Sequence, residues 1–228
     1  MTHSSDHIQT AKLTWRDGSL PVSTRFDDPY FSLENGFAET RHVFLAGNDL
    51  PARFAPGFHI AELGFGTGLN MFTTLLAWRM SGQTTPLHFS SFEAYPMSAP
   101  DMDKALAAFP EAHAIAAPFL NEWADGKRYI ETDDLIANII IGDARLTLPE
   151  WAGTANAWFL DGFSPAKNPE LWGDDLLADV ARHTAPAGTL ATYTAAGFVR
   201  RGLASAGFTV TRTTGFGRKR HMTTAVLT

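Results

Sequence analysis

Residues 62–68 read Glu62-Leu63-Gly64-Phe65-Gly66-Thr67-Gly68 and join two stretches of different period. Before the loop, Phe58 to Leu63 is a short apolar run of strand length. After it, Leu69, Phe72, Leu75 and Leu76 recur at the spacing of a core-facing helical stripe as far as Met80. Glycine at every second position lets the backbone turn sharply and approach a ligand closely, while the following helix offers its unpaired N–H groups. Dinucleotide sites and ordinary strand-to-helix turns share such loops. The strict alternation here, with an acid two positions before the first glycine, suits S-adenosylmethionine, which has no pyrophosphate to place on the helix.

Working outward, the same alternation of short apolar runs and longer amphipathic ones predicts βαβ units and a parallel sheet. Strands are expected near Phe58–Leu63, Leu87–Phe92, Leu135–Ile141, Ala155–Leu160 and Gly188–Thr194. Helices fit Leu69–Met80, Ala99–Phe109, a segment from Asn168-Pro169 to about Arg182, and Gly197–Ala206, with proline at a first helical position where its missing N–H costs nothing. Thr209–Thr214 and Met222–Leu227 are β-rich runs with no room for a helix between them, hence a terminal hairpin. The expected fold is α/β, a class I (Rossmann-like) S-adenosylmethionine-dependent methyltransferase whose mostly parallel sheet ends in a C-terminal antiparallel hairpin. Residues 1–12 read as a disordered tail and 13–56 as an N-terminal extension packed on the core. Residues 57–228 read as the methyltransferase domain, with Pro110 to Asp134 as an insertion carrying a strand-like Arg128–Glu131.

The 228 residues are 45% hydrophobic, enough for one sizeable core and at most a small appendage. Ile139–Ile141 and Trp158–Leu160 are far shorter than the roughly 20 residues that span a bilayer, and the polar start has no signal-peptide pattern. No membrane association is expected. The absence of cysteine excludes disulfides and thiolate metal sites, fits a cytoplasmic location, and leaves no metal ligand set to assign. A formal charge of -6 repels nucleic acid overall, so an RNA ligand needs a local basic patch. The densest is Arg218-Lys219-Arg220, with Arg200 and Arg201 on the preceding helix.

Three strand ends carry the candidate chemistry. Glu93, closing the second strand, can accept from both ribose hydroxyls of an adenosine group. Asp143, after the third strand, can accept from its adenine amino group. Taken singly, each is more simply a solvated strand-end acid; together with the glycine loop they describe a nucleoside crevice. The fourth strand ends in Asp161-Gly162-Phe163, where a methyl acceptor belongs. Asp161 can hold an amine N–H, and the Phe163 face can stabilise positive charge appearing on that nitrogen. A carboxylate of ordinary pKa, about 3.9, is a weak base for an alkylammonium near 10.4, so Asp161 is assigned mainly to orientation.

At these residues the chain resembles the methyltransferase domain of the MnmC/MnmD family, which makes 5-methylaminomethyl-2-thiouridine at the tRNA wobble position. The resemblance runs through Phe26-Asp27-Asp28-Pro29-Tyr30-Phe31, Gly64 to Asn70, Ser91-Phe92-Glu93, Trp158 to Pro169, Ala196 to Gly202 and Gly215 to Arg220. It implies S-adenosylmethionine as cofactor, bound by Glu62, Gly64, Phe65, Gly66, Gly68, Asn70, Glu93 and Asp143. It implies catalytic roles for Asp161 and Phe163. The tRNA anticodon arm would then meet Tyr30, Lys167, Asn168, Arg200, Arg201, Arg218, Lys219 and Arg220. Bifunctional members of the family continue into a FAD-dependent oxidase where this chain ends at Thr228. A separate oxidase partner, direct supply of the aminomethyl group, or a domain cut from a longer protein are the alternatives. Two further readings stand beside this one: N-methylation of a small amine or protein side chain, and a dinucleotide-binding oxidoreductase.

Overall fold

The computed structural model describes residues 9–32 and 35–228. Residues 1–8 of the expected tail lie outside them. Residues 11 and 12 are already tied down: the Ala11 N–H donates to the Pro96 carbonyl (3.1 Å), and the Lys12 carbonyl accepts from the Thr24 N–H (2.9 Å). Three short strands, β1 (Leu13–Arg16), β2 (Leu20–Ser23) and β3 (Asp28–Pro29), form an antiparallel sheet. Asn35-Gly36 starts a helix. Asn35 accepts from the Ala38 N–H (2.9 Å), capping α1 (Gly36–Thr40), which runs on through a π turn, Arg41–Leu45, and a 3-10 turn, Ala46–Asn48.

The central sheet follows. Strand β4 (His59–Leu63) leads through the glycine loop into α2 (Leu69–Met80), and β5 (Leu87–Glu93) into α3 (Ala99–Leu106). The expected insertion is largely a helix, α4 (Pro110–Ala124), followed by β6 (Tyr129–Glu131). Pro118 lies inside α4, and an interior proline ordinarily costs a helix about 3 kcal/mol. Burial of Ala112, Ala116, Phe119 and Trp123 overrides that local cost. Next come β7 (Leu135–Ile141), α5 (Ala144–Thr147) and β8 (Ala155–Leu160). The single helix expected from Asn168 to Arg182 is divided at Gly173 into a 3-10 turn, Pro169–Trp172, and α6 (Asp174–Arg182). Strand β9 (Thr184–Thr192) begins four residues earlier than expected, because a bulge against Ala155–Ala157 accommodates Pro186 and Gly188 at its start. The helix α7 (Gly197–Ser205) and the hairpin β10 (Phe208–Thr214) and β11 (His221–Leu227) complete the chain.

The strand order is β10-β11-β9-β8-β4-β5-β7-β6. The five strands β9, β8, β4, β5 and β7 are parallel, while β6 and β11 pair antiparallel at the two flanks. The class I methyltransferase fold expected from the sequence is thus the fold found. The order in which successive strands are added reverses around β4, so the crevice beyond its C-terminal end is the natural ligand position of an open α/β sheet. Side-chain alternation builds two cores, one on each face. Ala157 and Phe159 of β8 join Phe44, Phe72, Phe89 and Phe119, whereas Trp158 and Leu160 join Leu176, Leu177, Val199 and Leu203.

The N-terminal segment is integral to the first core. The Phe44 ring lies 5.2 Å from that of Phe159, and the Asn48 amide donates to the Phe44 (2.9 Å) and Trp158 (3.3 Å) carbonyls. Replacing Phe44 with alanine is therefore expected to lower the unfolding free energy by about 3–5 kcal/mol in a single transition. Denaturant unfolding followed by tryptophan fluorescence checks this; a loss below about 1 kcal/mol would mean that the segment is not part of the cooperative core.

Candidate active site

Beyond the C-terminal ends of β4, β5, β7 and β8 opens a cavity of about 740 Å³. Its floor is the glycine loop. Gly64, Gly66 and Gly68 hold φ values of +91°, +54° and +78°, a region that side-chain-bearing residues rarely enter. A Cβ on Gly64 would stand 2.5 Å from the Asp161 carbonyl oxygen, and one on Gly66 would stand 3.1 Å from the Tyr30 ring. Bare backbone is needed at both. Gly68 differs from the expectation: it does not line the cavity, and a Cβ there would meet Phe65, Phe72 and Met102, so its role is packing at the start of α2. Phe65 contributes backbone, since its ring is buried against Phe119 and Trp123.

Glu93 is buried at the cavity edge. Its Oε2 accepts from the Gly66 N–H (2.9 Å) and its Oε1 from the Tyr95 N–H (2.8 Å). Burial raises its pKa against the pull of those backbone donors. The backbone N–H groups of Phe65, Gly66, Ala94 and Tyr95 converge on this carboxylate, which braces the loop after β4. Asp143 lines the cavity, caps α5 by accepting from the Arg145 N–H (3.0 Å), and pairs with the Arg145 side chain, which lowers its pKa. The bare loop together with strand-end acids on the same cavity wall fits an adenosine-type cofactor.

Asn70 and Glu62 sit differently from their expected cofactor roles. The Asn70 Nδ2 donates to Glu62 Oε1 (2.9 Å) and to Asp161 Oδ2 (2.6 Å), while its Oδ1 accepts from the Thr40 hydroxyl (2.7 Å). Glu62 is fully buried behind the cavity and also accepts from the Ser91 hydroxyl (2.7 Å). Burial holds it well above the usual carboxylate range. Asn70, on the cavity wall, positions Asp161, and Glu62 holds Asn70 from behind. Burial likewise pushes Asp161 up to about 7, with the Asn70 hydrogen bond pulling the other way.

Phe163 stacks on Phe26 (ring centroids 4.7 Å apart) and meets Tyr30 edge-on (5.1 Å). The loop carrying it is pinned by the Trp172 indole, which donates to the Phe163 carbonyl (2.9 Å), and by Asp28, which accepts from the Ser164 N–H (3.0 Å). Tyr30 is largely buried, which raises its phenol pKa. Lys167 and Asn168 stand at the rim, but Lys167 is paired with Asp27 and Asp28. Of the basic cluster only Lys219 reaches the cavity, where its Nζ donates to Glu39 Oε1 (2.9 Å). Arg218, Arg220 and Arg201 are exposed elsewhere, and the Arg200 Nε donates to the Ala195 carbonyl (3.3 Å); none of the four lines the cavity. The sequence reading missed Glu39, Tyr193 and Phe26, and only the resemblance motif Phe26 to Phe31 pointed near any of them.

The fold and the site define a class I methyltransferase. The family model described as S-adenosyl-L-methionine-dependent methyltransferase matches residues 110–228, and the chain belongs to that family. It is 44% identical over 236 residues to the "tRNA 5-methylaminomethyl-2-thiouridine biosynthesis bifunctional protein MnmC" of Aeromonas hydrophila, covering 96% of this chain and 36% of that protein. The namesake from Pseudomonas fluorescens is 45% identical over 223 residues, covering 92% and 33%. The chain thus spans about a third of the length of these curated relatives. Among solved structures, MnmC2 from Aquifex aeolicus superposes with a TM-score of 0.75 at 28% identity, covering 96% of this chain and 71% of that one. Spermidine synthase from Thermotoga maritima, at 0.56 and 10%, shares the fold.

Because the folded state holds the Asp161 proton more tightly than the unfolded chain, its contribution to stability is fully present below about pH 4 and is lost as the pH rises through about 7. Removing the Asn70 donor raises that carboxyl further. Carboxyl carbon NMR titration, assigned with Asp161→Asn, is expected to show a midpoint near 7 that moves upward in Asn70→Ala; an unmoved or lower midpoint contradicts the assigned hydrogen bond.

Proposed function

We propose that this chain transfers a methyl group from S-adenosylmethionine to the exocyclic nitrogen of 5-aminomethyl-2-thiouridine at the wobble position of tRNA, in the cytoplasm, giving 5-methylaminomethyl-2-thiouridine. The observation that carries the reading is Asp161, a part-buried carboxylate held by Asn70 in the same cavity as the glycine loop and the Phe163, Phe26 and Tyr30 rings. The printed names of relatives 44–45% identical to this chain supply the nucleoside.

S-adenosylmethionine, when bound, supplies an electrophilic methyl group. The glycine loop, Glu93 and Asp143 would hold the donor. The acceptor must present a lone pair, so an alkylammonium near 10.4 has to shed a proton. Against an ordinary carboxylate that transfer is uphill by about 6.5 pK units; with Asp161 at about 7 the gap narrows to about 3.4. Burial therefore makes Asp161 a proton acceptor as well as an orienting group. The aromatic rings offer faces on which a base drawn out of its stack can rest. The reading leaves formation of the aminomethyl nucleoside to another activity, the FAD-dependent oxidase that the resemblance implies as a partner.

Nucleoside mass spectrometry of tRNA bearing 5-aminomethyl-2-thiouridine tests this directly. The native chain with S-adenosylmethionine is expected to convert the wobble nucleoside to its N-methyl derivative. Asp161→Ala is expected to abolish conversion while S-adenosylhomocysteine affinity stays within about threefold. Failure of the native chain on this tRNA would return the site to a small-amine or protein acceptor.

Anticodon-arm phosphates are assigned to exposed Arg218 and Arg220 at the hairpin tip, with Arg200, Arg201, Lys167 and Asn168 flanking. Replacing Arg218 and Arg220 with serine is expected to weaken tRNA binding and to flatten its log–log salt dependence by about 0.7 per lost contact. An unchanged slope in filter binding across salt concentrations would remove both from the interface.

A further inference from the structure

We infer that Glu39 and Tyr193 form a subsite for a primary alkylammonium beside Asp161, and that the Lys219 side chain occupies it as an internal stand-in which the acceptor amine displaces. The inference rests on the reading above that the acceptor is an amine, and it adds residues that neither the sequence patterns nor the relatives' names assign.

Lys219 is itself a primary alkylammonium. Its Nζ stands 2.9 Å from Glu39 Oε1 and 4.0 Å from the centre of the Tyr193 ring. A carboxylate combined with an aromatic face is the composition that recognises ammonium groups. The two halves of the contact differ in placement. The Glu39 side chain is 13% exposed and belongs to the cavity wall, whereas that of Lys219 is 47% exposed and enters from the hairpin tip. Tyr193 is held in place, since its hydroxyl donates to the Gly162 carbonyl (2.7 Å) on the loop that joins Asp161 to Phe163. Glu39 and Lys219 both act electrostatically on Asp161, in opposite senses, so the subsite and the proposed proton acceptor share one field.

Release of Lys219 needs no rearrangement of the hairpin. The base of the turn is anchored to the helical segment after α1 by the His42 Nε2 contact with the Thr214 carbonyl (3.0 Å) and by Phe216 against the His42 ring (5.8 Å). Only the lysine side chain has to leave, and a half-exposed ion pair is weak enough to exchange with an incoming ammonium. A cation leaving Glu39 as another arrives keeps the carboxylate paired throughout, which avoids stranding a shielded charge.

The test is calorimetric titration of the full chain, saturated with S-adenosylhomocysteine, with 5-aminomethyluridine, 5-hydroxymethyluridine and propylammonium chloride. Lys219→Ala is expected to tighten both amines about threefold to tenfold by removing the competitor, leaving the hydroxymethyl nucleoside unchanged. Glu39→Gln is expected to weaken the amines about tenfold or more, again sparing the neutral nucleoside. Unchanged S-adenosylhomocysteine affinity certifies folding; if Glu39→Gln fails that control, Lys219→Ala decides alone. Weaker or unchanged amine binding in Lys219→Ala, or equal losses for amine and alcohol, overturns the subsite. Propylammonium separates the two readings: its displacement of Lys219 stands even where the tRNA nucleoside is not the acceptor, whereas absence of methyl transfer to tRNA counts against the function alone.

Discussion

One side-chain amide holds this site together. Asn70, in the first turn of α2, turns both N–H groups onto carboxyl oxygens that belong to different strands, Glu62 of β4 and Asp161 at the end of β8, and accepts from Thr40 of the N-terminal segment. Two carboxyl groups this close and this buried repel one another when both are ionised and are costly to desolvate. The amide resolves that conflict by giving each a donor, while burial keeps Glu62 well above the usual carboxylate range and Asp161 near neutrality. No aliphatic side chain at position 70 could do so. The glycine loop then has a fixed starting point, because α2 is locked to both strands at its first turn.

Glu93 performs the corresponding task on the other flank. By accepting from the Gly66 and Tyr95 N–H groups it ties the loop after β4 to the end of β5, so the curvature of the loop is set by a carboxylate rather than by glycine content alone. The acidic residues of the cavity are thus structural and functional together. At Glu62, Glu93 and Asp161 alike desolvation outweighs the hydrogen bonds, so each carboxyl is raised above its ordinary value, while the donors that hold it differ from one to the next.

The parallel strands were legible because their signals are local: short apolar runs of β-branched and aromatic residues, a glycine loop, and helical stripes after β4 and β9. Helix α4 was not, since Pro110 and Pro118 punctuate its sequence and only its burial against Phe65 and the first core makes the helix worth forming. The candidate site divides along the same line. Asp161, Phe163 and Glu93 were readable from their positions at strand ends. Glu39 and Tyr193 were not, because each lies far in sequence from the glycine loop and becomes part of the site only when the N-terminal segment and β9 close around it. Sequence places Asn70 and Glu62 beside the loop; it does not show that the pleat of β4 turns Glu62 inward or that Asn70 bridges it to Asp161.

Under the proposed function, the charge arrangement decides which part of the substrate tRNA this cavity would admit. Its lining carries more acids than bases, and its cations are engaged: Arg145 on Asp143, Lys167 on Asp27 and Asp28, Lys219 on Glu39, and Arg25 over the Tyr95 ring. A phosphate entering would meet carboxylates with no cation standing ready for it, at a cost that grows as water is excluded. An ammonium entering meets the opposite field. The proposed substrate's polyanionic backbone and cationic substituent would therefore be handled on different surfaces, the backbone outside on the hairpin and α7, the base and its amine within. That separation would reconcile a protein of net charge -6 with the proposed nucleic-acid substrate. For that substrate it would also make base extrusion a requirement of the electrostatics, because only a nucleotide swung out of its stack could present its amine to Asp161 while its phosphates stay outside the acidic lining.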